Sequence, residues 1–179
     1  MKAFIKELIP YIIIILVVVL IRTYLVTPVV VSGSSMSPTL NNGEVLLLNK
    51  LKYRISEINR FDIVVVSVDK KTIKNKKLLE NDTKIIKRVI GLPSEYVEYK
   101  NNTLYIDGKE VVNDYNFNTE DFSLEEICNC KRIPEDKYLV LGDNREISAD
   151  SRVIGLIDKD DIQGKTSFRL WPLNKIGNI

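Results

Sequence analysis

The sequence predicts a mainly β, antiparallel domain that follows one N-terminal transmembrane helix. The helix is predicted by the uncharged stretch LIPYIIIILVVVLI at positions 8–21. The β domain is predicted by short runs of β-branched and aromatic residues after Pro28, which turn signals separate. The rest of the 179 residues shows no long amphipathic helical period and no internal repeat, which favours sheets over helices.

The N-terminal stretch is long enough to be a membrane anchor. Residues 8–21 would span about 21 Å as a helix, and continuation to Val26 gives about 28 Å, against a hydrocarbon core of roughly 30 Å. Arg22 can reach the interface with its long side chain. The alternative is a cleavable signal peptide, but no small-x-small site follows, and the alanines of the chain are Ala3 and Ala149 alone. An uncleaved anchor is therefore predicted.

The charges that flank the anchor predict its orientation. Lys2 and Lys6 precede it, and Arg22 is the one basic residue soon after it. By the positive-inside rule, the N-terminus then lies in the cytoplasm and the remainder outside. We therefore expect a single-pass protein of the cell membrane with a cytoplasmic N-terminus (1–7), a transmembrane anchor (8–27) and an extracytoplasmic β-rich domain (28–179).

Short β-rich runs define the predicted strands of the domain. Asn101-Asn102 and Asp107-Gly108 lie between three of these runs and predict a small meander of hairpins. The polar and acidic stretch at 113–130 is predicted to be an excursion on the surface. In chain order, the runs lie at 29–31, 44–48, 62–68, 83–91, 96–99, 103–106, 110–112, 137–142 and 165–172.

Composition excludes several classes of function. The 26 basic and 24 acidic residues give a net charge of +2, which predicts no nucleic-acid partner. The chain has no histidine, so Ser-His-Asp catalysis, Cys-His catalysis and histidine metal sites are excluded. A nucleophilic serine would then need a lysine, a carboxylate or a terminal amine as its base. No metal and no cofactor are predicted.

The two cysteines of the chain stand in the sequence Cys128-Asn129-Cys130. A disulfide across one intervening residue would be strained, and two thiols without histidine cannot complete a four-ligand zinc site. We therefore expect two unpaired thiols.

Three segments carry candidate chemistry, and the first is SGSSMSPTL at 32–40. Taken alone, it is typical of a polar turn. It lies a few residues past the predicted membrane exit, however, where a reactive hydroxyl would meet any chain that leaves the bilayer.

The second segment is IIKRVIGLP at 85–93, in which Lys87 lies within an apolar strand. Most strand lysines point the ammonium group at solvent. With an ordinary pKa near 10.4, only about one lysine in 2,500 is neutral at pH 7, and a base at neutral pH needs a pKa of roughly 7–8. Burial in an apolar strand would lower the pKa of Lys87 in that direction. Arg88, the next residue on the strand, is expected to point to the opposite face.

The third segment is GDNREISADSRVIG at 142–155, which opens with turn residues. Asp150 and Arg152 are spaced to lie on one side of an extended segment. The segment could be a simple salt-bridged loop. It could also be a scaffold that reaches into a site, where Ser148 would hydrogen-bond a neighbouring group.

The three segments, in this order after one anchor and together with RFDIVVV, resemble the bacterial type I signal peptidases. These are membrane-bound serine proteases with a Ser-Lys dyad, and the resemblance covers nearly the whole chain. It implies that Ser35, directly before Met-x-Pro, is the nucleophile and that Lys87 is the general base. It also implies that Ser148 positions the lysine amine, while Asp150 and Arg152 brace the site.

The same resemblance implies a fold and a substrate. The fold is the antiparallel β-sheet type shared by signal peptidases and self-cleaving repressors, with an apolar surface that meets the bilayer. The substrates are the signal peptides of exported preproteins with small residues at the first and third positions before the cut, Ala-x-Ala. The partners are those peptides and the lipid bilayer, near the export machinery. The implied substrate-binding residues are Val31, Gly33, Met36, Leu40 and Ile86.

Four positions, at three sites, depart from the family pattern. The pair Ser94-Glu95 stands where Gly-Asp is usual, and Phe61 stands where glycine is common. Gly33 stands where some members carry a serine whose hydroxyl binds the oxyanion. The oxyanion would then depend on the backbone N–H of Ser35, with Ser34 or a main-chain group as the second donor.

Two other functions compete with this interpretation. Self-cleaving repressors share the Ser-Lys chemistry, but they are soluble and carry a DNA-binding head, which the anchor and the near-neutral charge oppose. An inert anchored binding module would not require the intact motifs. The eukaryotic-type signal peptidase subunit uses histidine where this chain has lysine, so the absence of histidine excludes it.

Overall fold

A computed structural model describes residues 2–68, 83–112 and 117–179. Helix α1 runs from Lys2 to Tyr24, and its 23 residues span about 35 Å. Within it, Glu7–Tyr24 is apolar enough to cross a membrane, with a mean hydropathy of 2.1. The side chains from Leu8 to Tyr24 are exposed, as expected for a helix that packs against lipid.

Helix α1 ends three residues before the predicted boundary at 27. The Thr27 hydroxyl donates to the carbonyl of Arg22 at 2.7 Å, and the Lys50 amine lies 3.2 Å from the carbonyls of both Arg22 and Thr23. These groups satisfy carbonyls that have no partner at the end of a helix. The first strand begins at Val26, two residues after the helix ends, and includes Pro28, which could not have continued the helix.

The strands form two antiparallel sheets, which confirms the predicted fold class. In chain order, the strands are β1 (Val26–Val30), β2 (Val45–Asn49), β3 (Ile63–Val68), β4 (Thr83–Gly91), β5 (Val97–Lys100), β6 (Thr103–Ile106), β7 (Lys109–Glu110), β8 (Phe122–Ser123), β9 (Lys137–Leu141), β10 (Ile157–Asp158), β11 (Ile162–Trp171) and β12 (Gly177–Asn178). The large sheet has the order β1-β2-β11-β3-β4-β9-β10, with β12 paired to β11, and the small sheet has the order β7-β6-β5-β8.

Three short α-helices complete the described chain: α2 (Lys52–Ile55), α3 (Leu124–Cys128) and α4 (Ser151–Ile154). Two single 3-10 turns lie at Lys159–Asp161 and Leu173–Lys175. Each of these elements is five residues or shorter, so the predicted absence of long helices beyond the anchor holds for the described residues.

Strand β3 lies at the centre of the core because both of its faces are buried. Val64 and Val66 pack in one apolar cluster, while Ile63 on the alternate face packs in another with Met36 and Leu40. A third cluster joins the small sheet to β4 and β9 of the large sheet. A continuous run of β-branched residues is the sequence signature of such a doubly covered strand.

The predicted meander of hairpins is confirmed in the small sheet. Asn101 and Asn102 connect β5 to β6 with φ angles of 50° and 61°. Asp107 and Gly108 connect β6 to β7 with φ angles of 51° and 74°. Two consecutive positive φ angles are what a two-residue hairpin turn requires, and asparagine, aspartate and glycine tolerate them best.

The prediction of a surface excursion at 113–130 is wrong for much of that stretch, of which residues 113–116 lie outside the described part. Phe122 of β8, together with Leu124 and Ile127 of α3, is buried in the third cluster. Glu125 and Glu126 lie on the exposed side of the same helix. Helix α3 thus has one buried and one exposed side, but it is only five residues long. A helix this short gives no periodic pattern that can be recognised in the sequence.

The expectation of two unpaired thiols is also wrong, since Cys128 and Cys130 form a disulfide. Asn129 adopts the left-handed conformation (φ 53°) at the end of α3 and reverses the chain. This reversal brings the two Cα atoms to 5.2 Å, inside the range of roughly 4.4–6.8 Å that disulfides need.

Two departures from the family pattern occupy backbone positions that favour glycine. Phe61 and Ser94 both have φ angles of 68°. At the second position Glu95 holds the turn, because its carboxylate accepts from the Leu92 N–H at 2.7 Å and pairs with Arg60. The turn therefore forms with Ser94-Glu95 in place of Gly-Asp.

Candidate active site

Ser35, the predicted nucleophile, lies in the loop between β1 and β2, which we call the nucleophile loop (32–44) after that prediction. The loop is folded tightly on itself: the Leu40 N–H donates to the Met36 carbonyl at 2.8 Å, and the Gly33 N–H donates to the Asn42 side chain at 2.9 Å. Met36 and Leu40 are buried beneath it, with 2% and 0% of their surface exposed. These two apolar side chains hold the partly exposed Ser35 at the surface of the core.

Lys87 reaches Ser35 from the middle of β4. Its strand position pairs with Val64 of β3, and only 2% of its surface is exposed. The amine Nζ lies 2.7 Å from the Ser35 Oγ, a hydrogen bond between residues 52 positions apart. The structure thus brings together the two residues that the sequence names as nucleophile and base.

The surroundings of Lys87 favour its neutral form. Burial lowers the pKa of the Lys87 amine to about 8, because the charged form loses its hydration. The carboxylates of Asp150 and Asp143 act in the opposite direction, while Arg152 lowers the pKa further. At a pKa of 8, about one molecule in ten carries a neutral amine at pH 7, far more than for an ordinary lysine.

Asp150 and Arg152 brace the loop at 142–152. Asp150 is fully buried, accepts from the Gly142 N–H at 3.0 Å, and is paired with Arg152, whose Nε lies 2.9 Å from Oδ1. Arg152 also donates to the carbonyl of Arg145 at 2.6 Å. The expected extended segment is absent here, because Asp150 accepts from the Arg152 N–H and begins helix α4.

Ser148 is buried, with 7% of its surface exposed, at the edge of this arrangement. A Cβ atom placed on Gly142 would lie 2.1 Å from the Ser148 Oγ and 2.5 Å from the Ser35 carbonyl. Ser148 therefore packs against the backbone that borders Ser35, and only glycine fits at 142. The expected bond between Ser148 and the lysine amine is not formed, since the hydroxyl has no hydrogen-bond partner among the residues that the structure describes.

Sequence reasoning missed the ion pair that ties the second segment to the third. Arg88 and Asp143 form a two-pronged pair of 2.8 and 2.7 Å, with side chains 3% and 0% exposed. The neighbouring Asn144 N–H donates to the Ser35 carbonyl at 3.0 Å. Asp143 thereby fixes the backbone that holds Ser35. The sequence signal that could have revealed this pair is an arginine within an apolar strand, Arg88, together with a carboxylate in a turn of another site segment, Asp143.

Arg145 is a second residue that the sequence did not single out. Its guanidinium lies between the rings of Tyr99 and Phe117, 5.3 and 5.4 Å from their centres. It also donates to the Gly142 carbonyl at 2.9 Å and to the Thr119 hydroxyl. The small sheet and the segment after residue 116 thus support the loop next to the site.

A cleft of about 380 Å³ runs past Ser35 and Lys87. Of the expected substrate-binding residues, Val31, Gly33, Met36 and Ile86 line it. Leu40 does not, because it is fully buried below the loop. The other lining residues are Val29, Val30, Ser32, Val65, Thr83, Lys84 and Ile85.

The arrangement has the parts that a nucleophilic hydrolysis requires. A hydroxyl lies within hydrogen-bonding distance of an amine whose pKa is lowered, and both line a cleft. Within the described ranges, no group of three or more cysteine, aspartate or glutamate side chains is placed to hold a metal ion.

Known proteins resemble this chain over most of its length. Residues 4–171 match the sequence profile of the family described as signal peptidase, peptidase S26. Signal peptidase IB of Staphylococcus aureus is 40% identical over 95% of this chain and 93% of its own. Signal peptidase I of Bacillus caldolyticus is 39% identical over 93% and 91%. The solved structure of a signal peptidase I from Enterococcus faecalis aligns with a TM-score of 0.53 and 36% identity, covering 62% of this chain and 97% of that one.

Proposed function

Because this chain belongs to the signal peptidase family, peptidase S26, we propose that Ser35 is the nucleophile and Lys87 the general base of its reaction. The protein is a serine endopeptidase that removes signal peptides. The single observation that carries the assignment of the dyad is the bond of 2.7 Å between the buried Lys87 amine and the Ser35 hydroxyl.

In the proposed mechanism, the neutral Lys87 amine accepts the proton of the Ser35 hydroxyl as the oxygen attacks the scissile carbonyl. The protonated amine then gives that proton to the leaving amine of the mature protein, which leaves an acyl-enzyme on Ser35. Lys87, neutral again, activates the water that releases the signal peptide. The lowered pKa supports this cycle, because each turnover begins from the neutral amine.

The charge that develops on the carbonyl oxygen needs hydrogen-bond donors. We assign the Ser35 backbone N–H as one donor and the hydroxyl of the exposed Ser34 as the second. A serine at position 33 is disfavoured here, because Gly33 has a φ angle of 86°. Asp150 and Arg152 keep their proposed role as braces, and Ser148 keeps that of orienting the amine once substrate is bound.

The cleft is proposed to accept small side chains at the first and third positions before the cut. Val31, Met36 and Ile86 give the cleft an apolar lining beside Ser35. A preprotein that ends in Ala-x-Ala should therefore be cleaved by the purified protein in detergent. Replacement of the last alanine by phenylalanine should abolish cleavage, because a pocket that selects small side chains would not place the scissile carbonyl at Ser35 when it holds a large ring. Equal processing of both preproteins would contradict the assignment of the pockets.

The protein is proposed to lie in the cell membrane with residues 1–7 in the cytoplasm and the catalytic domain outside, close to the export machinery. Exposed apolar residues extend this membrane contact beyond α1. Val30 on β1 and Trp171 on β11 lie on either side of Val45 of β2, and both are exposed. Leu173 and Ile176, which come shortly after Trp171 in the chain, are exposed as well. An apolar surface next to the nucleophile loop would keep the cleft at the level where signal peptides leave the bilayer.

This orientation predicts the result of protease treatment. Protease added to intact cells without a wall should digest residues 28–179 and leave the anchor, because the anchor is shielded by the bilayer and residues 1–7 lie in the cytoplasm. The cut fragments are measured by immunoblot against a tag at the C-terminus, with a cytoplasmic protein as the control for intact cells. Protection of the tagged domain would show the opposite orientation.

A further inference from the structure

Arg169 on strand β11 reaches across β2 to the nucleophile loop. Its Nη2 donates to the carbonyl of Thr39 at 2.9 Å, a contact between residues 130 positions apart. Its Nε lies 2.9 Å from Oε2 of Glu44, the residue that ends the loop, as an ion pair without hydrogen-bond geometry. One guanidinium therefore joins two points of the loop that contains Ser35.

The pair is largely removed from water. The side chains of Arg169 and Glu44 are 14% and 4% exposed, and Asn41 also donates to Glu44 at 3.3 Å. Charges buried to this degree need partners, because their lost hydration is not recovered otherwise. Among the described residues, the Arg169 side chain contacts Glu44 and the carbonyl of Thr39. The position of the guanidinium and the position of the loop therefore depend on each other.

Backbone bonds carry this constraint from Thr39 and Glu44 to Ser35. The turn from Met36 to Leu40 is closed by one such bond of 2.8 Å, and the Val31 N–H donates to the Glu44 carbonyl at 2.8 Å. The other side of Ser35 is held by Asn144 and by the Lys87 amine. The loop is thus fixed from two directions, and Arg169 supplies the second.

We propose that Arg169 and Glu44 are positioning residues for the Ser35 nucleophile, an inference that rests on the proposed role of Ser35. Neither side chain lines the cleft, so neither is expected to contact substrate. Their effect is on the distance and angle between the Ser35 oxygen, the lysine amine and the scissile carbonyl. Displacement of a reacting group by about 1 Å can lower a rate roughly 100-fold.

The direct test is Arg169→Lys. Lysine keeps the charge beside Glu44, so no buried carboxylate loses its partner, but one ammonium cannot reproduce the two separate contacts that the guanidinium makes with Glu44 and with the Thr39 carbonyl. We expect kcat for an Ala-x-Ala peptide to fall about 10-fold or more on the scale of misplaced reacting groups, with KM within about two-fold because the cleft is intact. A wild-type kcat in folded Arg169→Lys would overturn the proposal.

The double variant Glu44→Gln with Arg169→Met distinguishes a positioning role from a role in stability alone. It removes both charges together, so the melting temperature should stay closer to wild type than in Arg169→Met alone. The proposal expects kcat to stay low although the fold is restored, whereas a structural role predicts that kcat recovers with stability. If the double variant does not fold, Arg169→Lys decides the matter.

Two controls complete the experiment. Arg132→Met removes an arginine from an exposed ion pair with Asp107, far from the nucleophile loop in the fold, and should leave kcat unchanged. Ser35→Ala tests the proposed function itself and should be inactive. Activity in Ser35→Ala would reject the nucleophile, while an inactive Ser35→Ala together with a fully active Arg169→Lys would reject only the positioning role.

Discussion

Lys87→Arg is expected to be as inactive as Ser35→Ala, with kcat/KM reduced by roughly 10⁴-fold or more, as when a catalytic base is lost. Arginine keeps the positive charge and a similar length, but its guanidinium stays protonated at any usable pH and cannot accept the serine proton. If Lys87 acted only through its charge, the variant would retain much of its activity. Initial rates of cleavage of an Ala-x-Ala preprotein distinguish the two results.

The pH dependence of the wild-type enzyme provides a second measurement of the same residue. Because the neutral amine is the active form, activity should rise with pH through a midpoint near the pKa of about 8. An ordinary exposed lysine would place that midpoint near 10.4. The same rise of activity with pH should persist in Ser148→Ala, at a lower overall rate, because the titrating group is Lys87. A rate that does not change between pH 6 and 9 would contradict the assignment.

The lowered pKa also predicts how Lys87 affects stability. The unfolded chain binds the Lys87 proton more tightly than the folded protein does. Below pH 8 both states are protonated, and the buried charge lowers the free energy of unfolding by its full amount. Above pH 10.5 both states are neutral, and Lys87 no longer lowers the stability. Stability should therefore rise with pH across this window. Lys87→Met removes the cost and should be at least as stable as wild type at pH 7, so its inactivity cannot be attributed to unfolding.

Asp143→Ala is expected to cost about 3–5 kcal/mol of unfolding free energy, because it removes the carboxylate that balances the charge of the buried Arg88 guanidinium. The loss should also lower activity, since the adjacent Asn144 holds the Ser35 carbonyl. Urea unfolding followed by circular dichroism measures the first effect, and initial rates in the absence of urea measure the second.

A matched control for this variant is Lys137→Met. It breaks the pair between Lys137 and Asp158, whose side chains are 35% and 37% exposed. A pair at the surface contributes about 1 kcal/mol or less, and this one lies outside the site. If the two variants lost similar amounts of unfolding free energy, the buried pair would contribute no more to stability than the exposed one.

The sequence by itself determined the elements whose cause is local. Runs of β-branched residues predicted nine of the twelve described strands, and the pairs Asn101-Asn102 and Asp107-Gly108 predicted the hairpins, because steric preferences act within a few residues. The two-residue strands β8, β10 and β12 were not predicted. The apolar stretch predicted α1 through its length and lack of charge. Ser35 and Lys87 were named from motif order, but nothing local required their side chains to meet.

Only the tertiary structure decided which distant groups pair. Arg88 could have pointed at solvent, and the structure instead pairs it with Asp143 at 2.7 Å. Arg169 reaches Thr39 over 130 positions, and Leu40 is buried under the loop rather than in the cleft. The physical reason is that burial, and with it the lowered pKa of Lys87, depends on which surfaces are covered by remote parts of the chain. Local sequence specifies backbone conformation, whereas desolvation and ion pairing are properties of the assembled core.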